Sequence, residues 1–574
     1  MAVVTTADVN LRTLLVSRTM KRPVIAIGLD AADPVLLENW MSQGYLKNLR
    51  RLREQGAYTH LNTFDYYRAE TPWTTFLTGC SPEQTGYWAP LKLREGTYKV
   101  EEVNAYDFQE FPPFYALGED FRVAVFDMPQ STLSDKVNGL QVLAWGAHSA
   151  LTPSHSQPVE LLAELINKHG EHPAFNHDNA NCLDLEALSE LQKKLEIGIN
   201  RRSTICQDLL QRDNWDLFLT IFGETHSAGH YFWHLSQPEH PLYHVLNAKS
   251  RNDALLDTFV AVDKAIGEIL SKAPKNANVL VFAAHGMGAN VMDLPSMFFL
   301  PELVYRYNFP GKYGIAKGDL GTTPGEPIAD AKTKKCWLRG MWNLKYESNP
   351  LKMFFRKNLP LKVFNQLEKL FGSRPSPDLI SPFELQKQGD PIYFQPALWY
   401  QPFWSQMKAF AIPSYSEGYI RINLQGREPN GIVTLEEYDA VCDELTQMLY
   451  QLKDARTGKE MVQKVIRTRQ EASDRNPKLP DADLVVIWQE ENATDVVDSP
   501  EFGRIGPVPH NRTGSHRARG FFLAQGPDIT PGSELPVGHA LDLAPTILEL
   551  MGARIPEYCE GKPMLEKSVA ASVV

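Results

Sequence analysis

Cysteine is scarce in this chain: six in 574 residues (Cys80, Cys182, Cys206, Cys336, Cys442, Cys559), far apart and with no C-x-x-C pair. That spacing excludes a disulfide framework and a thiolate zinc site. Long apolar runs are missing as well. No uninterrupted stretch reaches the roughly 18 residues of a membrane span, and the opening MAVVTTADVNLRTLLVSRTMKR holds no apolar core of signal length. Positive charge is in deficit, 58 Lys and Arg against 69 Asp and Glu for a net charge of −11, so no general grip on a nucleic-acid backbone is expected. Internal repeats and low-complexity tracts are absent. What remains is an expected cytoplasmic globular protein without a transmembrane segment.

The rest of the chain is organised around Asp216 to Trp233, DLFLTIFGETHSAGHYFW. An apolar run of strand length breaks at Gly223 into Glu224, His226 and His230, which puts ligating side chains at the carboxyl end of a buried strand, where open α/β sheets place their ligands. His226 and His230 are four apart, so a helical turn there sets both on one face, able to share a metal ion. The pattern recurs. PVIAIGLD (Pro23 to Asp30) is a short strand ending in a carboxylate, followed by a helical stretch with a glycine stop at Gly56. Asp30 is either a metal carboxylate or a helix cap, a role Asp33 before Pro34 fills equally well. NVLVF (Asn278 to Phe282) runs into His285, and LQVLAW (Leu140 to Trp145) runs into His148. In a parallel sheet these ends converge on one edge.

Residues 69 to 88, AETPWTTFLTGCSPEQTGYW, read as a turn entering a helix. Thr71 before Pro72 is both the best N-cap and the best nucleophile candidate, since a nearby cation lowers a hydroxyl pKa. RVAVFDM (122–128) is a further strand, and helical patterns cover roughly 158–210, 253–272 and 435–452. Between 297 and 413 the strand–helix rhythm stops, and the basic, aromatic KTKKCWLRGMWNLKYESNPLKMFFRKNLPLKVFNQLEKLF is expected either to close over the active edge as a lid or to lie on a membrane surface. The segment GPVPHNRTGSHRARGFFLAQGPDI is read as a loop carrying His510 and His516, then a strand. The expected organisation is an N-terminal tail (1–22), a first part of an α/β core (23–296), an inserted lid (297–413) and a second part of the core (414–574).

In this order the motifs resemble the alkaline phosphatase superfamily, most closely its type I phosphodiesterase and nucleotide pyrophosphatase branch. The resemblance is carried by GLDAAD at Asp30, PWTTFLTG-x-x-P at Pro72 to Pro82, the Glu224 to His230 segment, HGMG at His285, TGSHR at Thr513 to Arg517 and DLAPTILELMG at Asp542 to Gly552. It implies a doubly wound, mainly parallel sheet flanked by helices, with divalent metals, zinc first among them, at its carboxyl edge. It also implies a threonine nucleophile and a covalent phosphoenzyme. By matching position, Asp30, Thr71 and His285 fall at one metal, and His226, His230 and His516 at the other. The chain departs from that pattern. His226 stands where the branch has a metal-binding Asp, Ala284 replaces the Asp before the His of the HG motif, Thr71 precedes Gly79 by eight residues instead of about ten, and Thr85-Gly86 replaces a His-Gly. One firm three-histidine site and one thin site are therefore expected, the thin one helped by Glu224 or Asn290.

The expected activity is metal-dependent hydrolysis of a phosphodiester or pyrophosphate through Thr71, with Asn290, His148 and His510 as substrate-binding candidates. Two alternatives stand beside it: sulfate or phosphonate ester cleavage, or phosphoryl transfer, on the same fold; and a non-catalytic binding protein that keeps the fold.

Overall fold

The computed structural model describes residues 22–68, 71–148, 152–175, 184–246, 253–321, 337–359, 363, 366–367, 377–491 and 493–565. The N-terminal tail and part of the basic stretch between 322 and 376 lie outside them. Its largest sheet contains β1 (Val24–Leu29), β2 (Ala57–Asn62), β3 (Gly118–Phe126), β4 (Val137–Leu143), β5 (His155–Gln157), β6 (Leu217–Phe222), β7 (Asn278–Ala283), β8 (Arg519–Gln525), β9 (Ser533–Glu534) and β10 (Gly538–His539). The order is β9-β2-β8-β7-β1-β6-β3-β4-β5, with β10 also on β2. The five central strands, β7-β1-β6-β3-β4, are parallel throughout. β8 runs antiparallel between β7 and β2, and β5 antiparallel on β4. The expected mainly parallel, doubly wound α/β sheet is what the chain forms.

The apolar runs explain the layers. β1, β6 and β7 are buried along their whole length, as parallel strands covered on both faces must be. Alternation then sorts their side chains. Ile25, Ile27 and Leu29 pack with α1 (Pro34–Ser42), α2 (Lys47–Glu54), α4 (Leu185–Leu210), α5 (Glu224–Ser236) and α6 (Ala254–Leu270). Val24 and Ala26 face α3 (Pro72–Thr78) and α8 (Leu543–Met551) on the other side. A further helix, α7 (Pro350–Asn358), falls within the 297–413 insertion. No described helix is long and apolar enough to cross a membrane.

Strands Ala409–Ile412, Gly418–Ile422, Leu484–Trp488 and Val462–Arg467 make a separate antiparallel sheet of four, with its own apolar cluster drawn from residues between 291 and 508 and a few from 67 to 93. The chain rejoins the main sheet at β8. Just before it, Gly514–Arg517 pairs antiparallel with Gly286–Ala289 as a two-stranded ribbon. His516 is therefore on a strand and not, as its loop-like surroundings suggested, on a loop: the glycine-rich HGMGA run accepts a ribbon partner far away in sequence.

Candidate metal centre

The carboxyl ends of β7, β1 and β6 lie side by side because their registers match, Leu29 opposite Phe222 and Gly28 opposite Phe282. Asp30 follows β1 directly and is fully buried. The chain turns sharply after it, with Ala31 in the left-handed region at φ 55°, a conformation that costs a non-glycine residue energy and is held by the surrounding fold. The cap question resolves in favour of Asp33, whose carboxylate accepts from Val35 N–H (3.0 Å) and Leu36 N–H (3.1 Å) at the start of α1. Asp30 is left with other partners.

α5 begins at Glu224 and is tied to β1 by Thr225 Oγ1, which donates to the Asp30 carbonyl at 2.7 Å. His226 and His230 share one face of it, with their Nε2 atoms 3.1 Å apart. The Gly286–Ala289/Gly514–Arg517 ribbon reaches this helix through glycine. A Cβ on Gly514 would sit 2.1 Å from the Gly229 carbonyl, and one on Gly229 would sit 2.9 Å from Met287. That close approach carries His516 in, its ring 4.9 Å from His230 and 5.0 Å from His226. His226, His230 and His516 thus offer nitrogens all within 4.8 Å of one another, all from buried residues. His230 Nδ1 donates to the Gly514 carbonyl at 2.7 Å, which fixes the tautomer and leaves its Nε2 lone pair facing the other two rings.

A second cluster adjoins the first. His148 Nδ1 lies 2.5 Å from Asp30 Oδ2, and its ring stacks on His226 at 3.7 Å with 13° between the planes. Asp30, His148 and His226 are a second set able to hold a cation. His285 completes the surroundings, Nε2 3.8 Å from Asp30 Oδ1, and Trp73 Nε1 donates to the same oxygen at 3.2 Å.

Residues 24–306 match the model of a family described as type I phosphodiesterase / nucleotide pyrophosphatase. Over that span, just under half of the chain, the sequence is similar to this family. This likeness supports reading the chain as a hydrolase. No curated protein matches the sequence. Similar solved structures include phosphonoacetate hydrolase from Sinorhizobium meliloti 1021 in complex with phosphonoformate (14% identity, TM-score 0.46, covering 93% of this chain and 96% of that one). Murine ectonucleotide pyrophosphatase / phosphodiesterase 5 is another (11%, TM-score 0.44, 93% and 96%), as is wild-type alkaline phosphatase PafA (13%, TM-score 0.44, 95% and 99%).

Electrostatics at this centre fit a cation. Burial drives the His516 imidazole far below its ordinary range, and His285, His230 and His226 beside it add to the effect. His285 is pushed down to about 4, by burial first and with Asp30 opposing. Burial resists ionisation of Asp30, but His148 and His226 hold its carboxyl below the usual range. At neutral pH His285 and His516 are therefore neutral imidazoles and Asp30 an ionised carboxylate. His516 Nε2 is buried with no hydrogen-bond partner, a state that costs on the order of 1–3 kcal/mol and that a bound cation would relieve.

Not every residue expected at the centre is there. The Glu224 carboxylate points away, onto Arg202 Nε at 3.0 and 3.1 Å and His172 Nε2 at 3.1 Å. Asn290 builds a turn, accepting from Met292 and Asp293 N–H and donating to the Arg512 carbonyl. His510 belongs to another group of buried histidines, 5.9 Å from His240, which is 6.0 Å from His234. Thr71 is buried at the start of α3, but its hydroxyl donates to the Tyr67 carbonyl at 2.8 Å and does not cap the helix. His148, a substrate-binding candidate by sequence, lies against Asp30; its place just past a strand end is the signal that puts it at this edge. Arg512 was missed. Its guanidinium pairs with Asp293 (2.7 and 3.2 Å) and reaches His230 Nε2 at 3.2 Å.

Proposed function

We propose that the protein hydrolyses a phosphodiester or pyrophosphate with the help of divalent metal, zinc being the ion its donors favour. The observation that carries this reading is the convergence of His226, His230 and His516 beside Asp30, His148 and His285. A divalent ion held there supplies Lewis acidity, lowering the pKa of a coordinated hydroxyl and offsetting charge on the phosphoryl oxygens. Two donor sets would hold ions: His226, His230 and His516 in one, and Asp30 with His148 in the other, which His226 or His285 would complete.

The chain's own residues do the rest. Asp30 brings the one carboxylate of the centre. Arg512, oriented by Asp293, presents a planar donor pair that suits a phosphoryl oxygen, and it gives up His230 Nε2 when that lone pair is used by an ion. Thr71 serves as nucleophile after its hydroxyl leaves the Tyr67 carbonyl. A second reading is favoured by that same bond: water attacks directly and Thr71 only shapes the turn.

Elemental analysis of the purified protein together with hydrolysis of a chromogenic aryl phosphodiester tests the proposal. Stoichiometric metal and chelator-sensitive turnover are expected, and metal without any esterase activity would sink it. Thr71→Ala separates the two readings. A fall in kcat of at least about a thousandfold is expected of a lost nucleophile, whereas near-normal turnover assigns the attack to water.

A further inference from the structure

We propose that Cys80 and Cys559 are an oxidisable pair whose disulfide fastens the segment 556–560 to the end of α3. Sequence spacing excludes a disulfide framework, but a single bridge depends on tertiary contact, and Cys80 and Tyr558 meet across 478 positions. Gly79 ends α3 in the left-handed region at φ 71°, and a Cβ there would sit 2.7 Å from Cys559 Sγ. Glycine thus opens the space into which the Cys559 thiol packs. The two backbones are tied together beside the pair. Glu560 N–H donates to the Gly79 carbonyl at 3.0 Å, and Ser81 N–H donates to the Glu560 carboxylate.

Both thiols turn to one acceptor, the Thr78 carbonyl, at 3.6 Å from Cys80 Sγ and 3.9 Å from Cys559 Sγ. Cys80 Sγ is also 3.6 Å from the Tyr558 carbonyl, one residue before Cys559. With the backbones clamped, rotation about the two Cα–Cβ bonds is the movement that brings the sulfurs together. Cys80 is fully buried and Cys559 half-buried, so Cys559 meets an oxidant first. Burial lifts the two thiols to about 12 and about 11, which makes the pair slow to react and sets it by the lasting redox state around it. With glutathione disulfide as oxidant, the Cys559 thiolate attacks one sulfur and expels a glutathione thiolate. The Cys80 thiolate then attacks Cys559 Sγ and expels the glutathione joined there. The two thiol protons and the two electrons that the bridge gives up end on the two glutathione molecules released.

The test is equilibration of the reduced full-length protein with reduced and oxidised glutathione, then trapping of free thiols with N-ethylmaleimide and mass spectrometry of unreduced peptides. Peptides joined through Cys80 and Cys559 are expected, with both thiols protected from alkylation. Because the bridge closes a long loop, the thermal midpoint should rise by a few degrees on oxidation. That rise should vanish in Cys559→Ser, which alters a half-buried side chain and should fold as wild type does, and equally in Cys80→Ala. Full alkylation of both cysteines after oxidation, glutathione left on Cys559 with Cys80 still free, or a bridge from either to another cysteine overturns the proposal. So does a thermal shift that Cys559→Ser retains.

Discussion

Replacing Glu224 by Gln separates two roles that the neighbouring histidines make easy to confuse. Arg202 is fully buried beneath α5, with Nε on both Glu224 oxygens and NH2 2.5 Å from Asp127 Oδ2. His172 accepts Ala174 N–H at its Nδ1, so its Nε2 carries the proton and also donates to Glu224. Glutamine keeps the shape but turns an amide N–H₂ toward one of these donors and leaves the guanidinium with Asp127 alone. Removing one partner of a buried ion pair costs about 3–5 kcal/mol, and the surviving Asp127 contact puts this case at the low end, about 3 kcal/mol.

A second route gives a similar figure. Burial opposes the charge on Glu224, yet Arg202 and His172 bring its carboxyl down from 4.5 to about 2, which at about 1.4 kcal/mol per unit is again about 3 kcal/mol. Because the folded-state pKa is the lower one, this stabilisation is present above pH 4.5 and is lost as pH falls toward 2. Urea unfolding of the metal-free protein, with metal content measured in parallel, is the assay. Glu224→Gln should be less stable by about 3 kcal/mol and still bind its full complement of ions. Unchanged stability with loss of an ion would refute this reasoning and return Glu224 to the metal.

Further substitutions test the centre. His516→Ala removes a buried nitrogen with no other partner and should weaken zinc binding by more than about a hundredfold in calorimetric titration; unaltered affinity would dissolve the three-imidazole site. His148→Ala should lower metal stoichiometry by one ion, and equal stoichiometry would place the second ion elsewhere. His234, brought from 6.5 to about 3 by burial and then by His510, must stay neutral in the fold. Its unfolded form takes up a proton first, so stability present above pH 6.5 declines as pH falls toward 3. At pH 5 the loss is about 2 kcal/mol, and His234→Gln should flatten that part of the stability profile; an unchanged slope would show that His234 is not the group responsible.

The strands of the main sheet were legible because a parallel strand covered on both faces must be a short apolar run, and VIAIGL, LFLTIF and NVLVFA are such runs. Their ends were legible for a related reason: chemistry at the carboxyl edge of the sheet places Asp30, His226, His230 and His285 just past each run. The four-residue spacing of His226 and His230 further fixed that they would share a helix face. The contribution of His516 was foreseen through resemblance, but its strand was not, because a ribbon's partner lies more than two hundred residues away and glycine-rich sequence carries no strand signal of its own.

Which polar side chains face the centre was decided only in three dimensions. Glu224 and His226 are two positions apart on one helix, and that angular step sends the carboxylate to Arg202 and the imidazole to His230. His148 joins Asp30 although β4 lies three strands from β1, in a sheet order that sequence does not encode locally. The sequence by itself determined the layers and the kinds of ligand at their edge, through burial and periodicity. The tertiary structure alone decided which of those ligands meet, since that depends on strand order, helix phase and close glycine contacts between segments distant along the chain.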